Sequence, residues 1–239
     1  MPVVLDPDAA AVYKAFQETG RPPYETVSPA EARQLYLAGR VVSNPEPPEL
    51  ESAKPLAIPA PHGSIPARIF TPKRLRKTHG LSPCLVFFHG GGWVIGDLDS
   101  HDVVCRKLAH EGELIVISID YRLAPEHKFP VAVDDAIAAT KWVADNAKQL
   151  GIDAARISVG GDSAGGNLAA VVALAARDAN GPKLAGQVLV SALAVPVGLQ
   201  GDDQDGKAKS SRLTALLGLT KAPTRSGLLK DAVCIFVIS

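Results

Sequence analysis

The sequence has no excess of charge of either sign. Its 239 residues carry 25 Lys and Arg against 25 Asp and Glu, a formal net charge of zero. That balance argues against a nucleic-acid partner and against an anionic membrane surface, both of which favour clustered cations. The one local run of bases, Lys73, Arg74, Arg76 and Lys77, sits in a Pro- and Gly-bounded loop and reads as a solvated turn. Cysteine is scarce: Cys84, Cys105 and Cys234 are an odd number at unrelated spacings, with no C-x-x-C pair and no Cys/His ligand cluster. A disulfide framework and a structural zinc are therefore not expected, and a reducing compartment is. No apolar run reaches the roughly 18 residues that a membrane-spanning helix needs. The N-terminal "MPVVLDPDAAAVYK" lacks the basic-then-apolar order of a signal peptide. A cytoplasmic protein without metal or organic cofactor is expected. The oligomeric state stays open, a homodimer included.

What is present is an alternation of apolar runs and helical patterns. Asp6 and Pro7 predict a helix start, with Val12, Tyr13 and Phe16 on one face before Gly20 and Pro22. "SPAE" at 28–31 predicts a second start, a capping box with Ser28 and Glu31 bonded reciprocally and Pro29 in the first turn. Two such helices are too small for a domain and read as a flap on something larger. From about residue 55, "AIPA" and "IPARIF" predict an antiparallel pair around Pro61–Gly63, and "CLVFFH", "ELIVISID", "RISVGG" and "AGQVLVSAL" predict further strands. Helical segments fall between them at about 100–111, 130–149 and 163–178. In the middle one Val131, Val133, Ile137, Ala138, Trp142 and Val143 form the apolar stripe, with Asp134, Asp135 and Lys141 off it. The pattern predicts an α/β fold with a mostly parallel sheet covered on both faces. The boundaries are a helical cap at 1–50, a core at 51–191 and an atypical tail at 192–239, where "VCIFVIS" is a candidate last strand.

Two Gly-rich stretches carry candidate chemistry. Gly161-Asp162-Ser163-Ala164-Gly165 fits G-x-S-x-G between a strand and a helix. A serine on so sharp a turn has strained backbone angles, and side chains at the two flanking glycines would strike the neighbouring strand and helix. Ser163 also lies at a helix N-terminus, which favours developing negative charge. "FFHGGGW", Phe87–Trp93, follows a buried strand, and its glycines leave amides free to face an oxyanion. Gly91, Gly92 and Ala164 are the candidate oxyanion donors, and His89 reads as a structural histidine bracing the loop by a side-chain hydrogen bond.

"HGGGW" at 89–93, "DYRLAPEHKFPVAVDDA" at 120–136 and "GDSAGGNLAA" at 161–170 together resemble the hormone-sensitive-lipase-like branch of the α/β-hydrolases, the bacterial acetyl-esterase type. The resemblance covers roughly residues 1–190. It implies an α/β-hydrolase fold, N-terminal helices capping an acyl pocket, and a serine carboxylesterase of short-chain acyl esters with Ser163 as nucleophile. It also implies architectural roles for Tyr121, Arg122, Glu126 and Asp134. The departures are as specific. The family order is Ser, then Asp, then His, yet all six histidines (His62, His79, His89, His101, His110 and His127) precede Ser163. The later carboxylates, Asp202, Asp203, Asp205 and Asp231, lack the family's acidic motif, so catalytic acid and base stay unassigned. Where a Tyr-Pro pair would follow "QVLV" the chain has Ser191-Ala192, which predicts a truncated or frame-altered C-terminus with its strands and helix incomplete. His127 is expected to face solvent, and His101 and His110 to lie on or beside a helix outside the sheet.

The resulting expectation is an esterase weakened by loss of its base. Three alternatives stay open. One is an amide hydrolase of the formamidase kind, since HGG-x-W loops also occur there. Another is a small-molecule-binding pseudoenzyme, as the plant gibberellin receptors show the family permits. The third is a gene product that folds poorly because missing strands expose a sheet edge.

Overall fold

A computed structural model describes residues 6–192. Among these residues six strands form one sheet: β1 (Ser52–Ala60), β2 (Gly63–Thr71), β3 (Ser82–Phe88), β4 (Ile115–Ile119), β5 (Ile152–Asp162) and β6 (Gly186–Val190). Their spatial order is β1-β2-β4-β3-β5-β6. The first three in that order pair antiparallel and the remainder parallel. Each expected strand is present, and the hairpin turns at Pro61–Gly63 as its sequence predicts, Gly63 taking a positive φ of 123°. The candidate strand in "VCIFVIS", the carboxylates Asp202, Asp203, Asp205 and Asp231, and Cys234 lie outside the described residues.

Among the described residues five α-helices accompany the sheet: α1 (Pro7–Glu18), α2 (Pro29–Ser43), α3 (Asp102–Gly112), α4 (Val131–Asp145) and α5 (Ala164–Asp178). α2 begins where the capping sequence places it, with Ser28 Oγ accepting from the Glu31 amide at 3.2 Å. The two faces of the sheet carry separate cores because successive side chains of a strand point to opposite sides. Val86 and Phe88 of β3, with Ile117 and Ile119 of β4, pack with Ala136, Val143, Leu168 and Val172 of α4 and α5. Leu85, Phe87 and Val116 pack on the other face with Phe70 and with Cys105 and Ala109 of α3. β3 and β4 are buried on both faces, which explains their unbroken apolar runs. Each fully buried Ile or Phe side chain contributes about 2 kcal/mol.

The inward stripe of α4 differs from the expected one. Ala132, Ala136, Ala139 and Val143 are buried together with Asp135 and Thr140, whereas Val133, Ile137, Ala138 and Trp142 are only partly covered. Small side chains let the helix lie close to the sheet, and the larger ones flank the contact. Asp135 therefore faces inward instead of lying off the stripe, because Arg122 neutralises it there. The basic loop is exposed as expected, with Lys73 on Glu49 and with Arg74 and Arg76 on Glu113. Cys84 and Cys105 are buried free thiols, and burial raises the pKa of both.

The chain leaves β3 for β4 on one side and later places β5 on the other. This reversal makes the carboxyl ends of β3 and β5 the topological switch point, the usual ligand position in an open α/β sheet. Both Gly-rich stretches emerge there.

Candidate functional site

Ser163 joins β5 to α5 with φ 51° and ψ −115°, a conformation that costs an L-residue of order 1–3 kcal/mol and persists only where the surroundings impose it. The surroundings are backbone. A Cβ on Gly165 would collide with the Phe88 carbonyl oxygen and meet that of His89 at 2.6 Å; one on Gly161 would collide with the Phe88 oxygen and lie 2.5 Å from the Gly165 carbonyl carbon. The Ser163 amide donates to Val190 O at 2.9 Å, and Ser163 O accepts the Asn167 amide at 3.1 Å as α5 begins. The expected strain and the expected steric need for both flanking glycines are therefore present. Ala164, the first residue of α5, is fully buried. The Ser163 side chain makes no capping hydrogen bond.

Facing this turn is the loop after β3. Gly91 and Gly92 have φ of 123° and 61°. They differ in surroundings: a Cβ at Gly91 would run into the Ile95 carbonyl, whereas one at Gly92 would meet open space. The Gly91 carbonyl accepts the amides of Val94 and Ile95 at 3.1 and 3.0 Å, closing the loop on itself. The Gly90 amide donates to Asp162 Oδ1 at 2.9 Å, and a Cβ at Gly90 would collide with that carboxylate. Gly90 and Asp162 immediately precede Gly91 and Ser163, so this bond fastens one motif to the other.

His89 is fully buried and braces the loop as expected. Its Nδ1 lies 2.8 Å from Gly90 O and its ring stacks on Tyr121 with centroids 4.4 Å apart. Burial lowers its pKa to about 4; the Gly90 carbonyl opposes that shift and the neighbouring His101 adds to it. The Tyr121 hydroxyl donates to His89 O at 2.6 Å. Arg122 binds Asp135 through Nε at 2.9 Å and Nη2 at 2.8 Å, and the Arg122 amide also donates to that carboxylate. Glu126 pairs with Arg33 at 3.0 and 2.7 Å, which drops its pKa to about 2. Tyr121, Arg122 and Glu126 are thus architectural, as the resemblance implies. Asp134 is not: it is exposed, and the carboxylate that holds Arg122 is its neighbour Asp135.

The histidines separate clearly. His62, His79, His110 and His127 are exposed, His127 as expected. His101 lies beside α3, at its N-cap, as expected, but it is also buried against the site, with Nε2 3.3 Å from Asp162 Oδ1 and its ring 5.5 Å from that of His89. Burial raises the Asp162 pKa, but the His101 contact and charge, the Gly90 amide and Arg40 outweigh it, leaving the carboxyl below its ordinary value. From α2, Arg33 donates to Val94 O at 2.8 Å and Ala124 O at 2.9 Å, and Arg40 Nη2 approaches His101 Nε2 at 3.3 Å. None of His101, Asp162, Arg33, Arg40 and Asp135 was a site candidate from sequence. The available signal was that Arg33, Tyr36 and Arg40 recur at helical spacing on one face of α2. Among the described residues no cluster of three or more His, Cys, Asp or Glu could hold a metal ion, and no helix is long and apolar enough to cross a membrane.

Comparison with known proteins places the chain. A family model described as alpha/beta hydrolase fold matches residues 85–223. Esterase LipI of Mycobacterium tuberculosis is 50% identical over 145 residues, 61% of this chain and 45% of that protein. Ethyl acetate hydrolase of Pseudomonas putida is 36% identical over 195 residues, 78% of this chain and 60% of that protein. The chain thus spans about half the length of the curated relatives it matches. Among solved structures, an alpha/beta hydrolase enzyme from the metagenome of Lake Arreo superposes with TM-score 0.72 at 41% identity, covering 79% of this chain and 60% of the other. A hyperthermophilic esterase from Pyrobaculum calidifontis superposes with TM-score 0.70 at 38% identity, over 80% of this chain and 59% of the other. The chain belongs to the alpha/beta hydrolase fold family, in its hormone-sensitive-lipase-like branch.

Proposed function

We propose that this chain is a serine-type carboxylic ester hydrolase for short-chain acyl esters. Ser163 is the nucleophile, the amides of Gly91, Gly92 and Ala164 hold the oxyanion, and α1 and α2 cap the acyl pocket of the core. The observation that carries this reading is the Ser163 backbone, at φ 51° on a strand-to-helix turn whose flanking glycines are compressed against the end of β3. Strain of this kind aims a hydroxyl out of a packed surface at a helix N-terminus, where negative charge is favoured. The Gly90–Asp162 bond supports the same reading by holding the neighbouring glycine amides beside the turn. Attack on the ester carbonyl would form an acyl-serine and release the alcohol, and water would then release the acid.

In the chain as it stands no histidine follows Ser163, and neither buried histidine hydrogen-bonds to its hydroxyl. A hydroxyl without a base stays protonated near neutral pH. A polypeptide of these 239 residues alone would turn over about 10⁴- to 10⁶-fold below a complete triad, the remainder coming from the oxyanion amides and binding. Hydrolysis of p-nitrophenyl acetate beside an N-formyl aryl amine tests the proposal. The expected result is slow ester turnover abolished by Ser163→Ala. Preferential cleavage of the formamide would move the assignment to the amide hydrolases, and tight small-molecule binding without turnover, indifferent to Ser163→Ala, would make the chain a receptor.

A further inference from the structure

We propose that His101 is a positioning residue through which α2 controls the loop bearing the oxyanion amides, its Nε2 being shared between Arg40 of α2 and Asp162 of the serine turn. This rests on the reading of Ser163 and the glycine amides as the reacting groups. His101 is almost fully buried, yet its ring is polar at both ends. On one side, Nδ1 lies 3.0 Å from Ser100 Oγ. The Ser100 hydroxyl donates to Asp97 O at 2.9 Å and accepts from the Asp97 amide at 2.9 Å, so its single proton is committed. Nδ1 must therefore carry a hydrogen and donate to Ser100. Nε2 is left as the variable atom.

Two groups compete for it at the same distance. Arg40 Nη2, which also donates to Tyr36 Oη at 2.8 Å, stands 3.3 Å away and can only give a proton. Asp162 Oδ1 stands 3.3 Å away on the other side and can only accept one. With Nδ1 holding the hydrogen of the neutral ring, Nε2 accepts from Arg40 and ties the ring to α2; only in the cationic ring does Nε2 also carry a hydrogen and donate to Asp162. Asp162 Oδ1 is the same oxygen that takes the Gly90 amide, so whatever His101 gives it alters the bond that positions Gly91 and Gly92. The titratable groups facing the ring are Tyr36 and Arg40 from α2, His89 from the end of β3 and Asp162 from β5, with centroid separations of 6.3 Å to Tyr36 and 5.5 Å to His89. No route through exposed side chains is needed: the path from α2 to the oxyanion loop is Arg40, His101, Asp162, Gly90.

Substituting His101→Leu removes both bonds, His101→Gln keeps a donor at the Nε2 position, and Arg40→Ala removes the cation that opposes a proton on Nε2 and so favours its bond to Asp162. The readouts are the Gly90 amide resonance in ¹⁵N-glycine-labelled protein and the rate at which Ser163 displaces p-nitrophenolate from diethyl p-nitrophenyl phosphate. Lys14→Ala, in an exposed pair with Glu18 on α1, is the control. The expected result is that the Gly90 amide moves in opposite directions in His101→Leu and Arg40→Ala and stays in place in Lys14→Ala. Phosphorylation should slow about tenfold in His101→Leu, well within the ~10²-fold that an ångström of misplacement costs, and recover in His101→Gln. A Gly90 resonance unmoved in Arg40→Ala, or moved the same way in both variants, overturns the proposal. If His101→Leu does not fold, Arg40→Ala and His101→Gln still decide. An unreactive wild-type serine with a Gly90 amide that responds as described would refute the esterase reading and leave His101 in its positioning role.

Discussion

The turn at 161–165 and the loop at 89–96 meet at the end of one sheet but are held by different means. The turn is fixed by backbone crowding: carbonyls of Phe88 and His89 fill the space where Cβ atoms at Gly161 and Gly165 would go. The loop is fixed largely by side chains from distant parts of the chain, with Asp162 on the Gly90 amide, Arg33 on Val94 O and Tyr121 on His89 O. A crowded backbone tolerates almost no change at its glycines but asks little of the rest of the sequence. The loop is crowded at Gly90, Gly91 and Gly96 as well, tolerates change only where it is open, as at Gly92, and depends besides on residues far away.

That contrast can be broken in graded steps. Gly165→Ala should be the most damaging change, since two carbonyls would have to move; a loss of about 4 kcal/mol or more by urea unfolding, or no soluble protein, is expected. Acid should be next, acting on the loop through His89. Its folded pKa of about 4 lies below the ordinary 6.5, so on acidification the unfolded chain takes up the proton first. The stabilisation is complete above about pH 6.5 and lost progressively towards pH 4, roughly 3 kcal/mol in all. Asp120 works the other way. Burial first, then Asp97 and Asp99, raise its pKa to about 6, so the native state gains from its protonation as pH falls through that value. Asp120→Asn should therefore raise stability at neutral pH and steepen the acid loss, measured as urea midpoints from pH 7 to 4. Arg33→Ala, which leaves Val94 O and Ala124 O without their donor, should cost about 2 kcal/mol and loosen the loop without touching the turn. Gly92→Ala should cost least, about 1 kcal/mol from its positive φ alone, because the space beside it is open.

The same contrast explains what the sequence disclosed. The turn at 161–165 was legible because its constraints are local: strand, small residue, serine, small residue, helix. A mostly parallel sheet covered on both faces followed from the alternation of strands with helices and the unbroken apolar runs in β3 and β4, whereas the order of the strands did not. The anchors of the loop were not legible because each pairs residues far apart in the chain, Arg33 with Val94 and Ala124, Arg122 with Asp135, and His101 with Asp162. Helical periodicity placed Asp135 off the apolar stripe of α4, since a buried carboxylate looks polar until its arginine partner is located. His101 lies beside a helix outside the sheet as expected, yet its contact with Asp162 was hidden for a related reason. Its place before α3 said nothing of the fact that this end of the helix abuts Asp162.

The central claim is that Ser163 is the reactive group of a site completed by the loop, and the most direct measurement is the intact mass and peptide map of the protein after exposure to a fluorophosphonate. A single adduct on Ser163, absent from Ser163→Ala and slowed when the loop is loosened by Arg33→Ala, is the predicted result. An adduct on another residue, or one that survives Ser163→Ala, would contradict it.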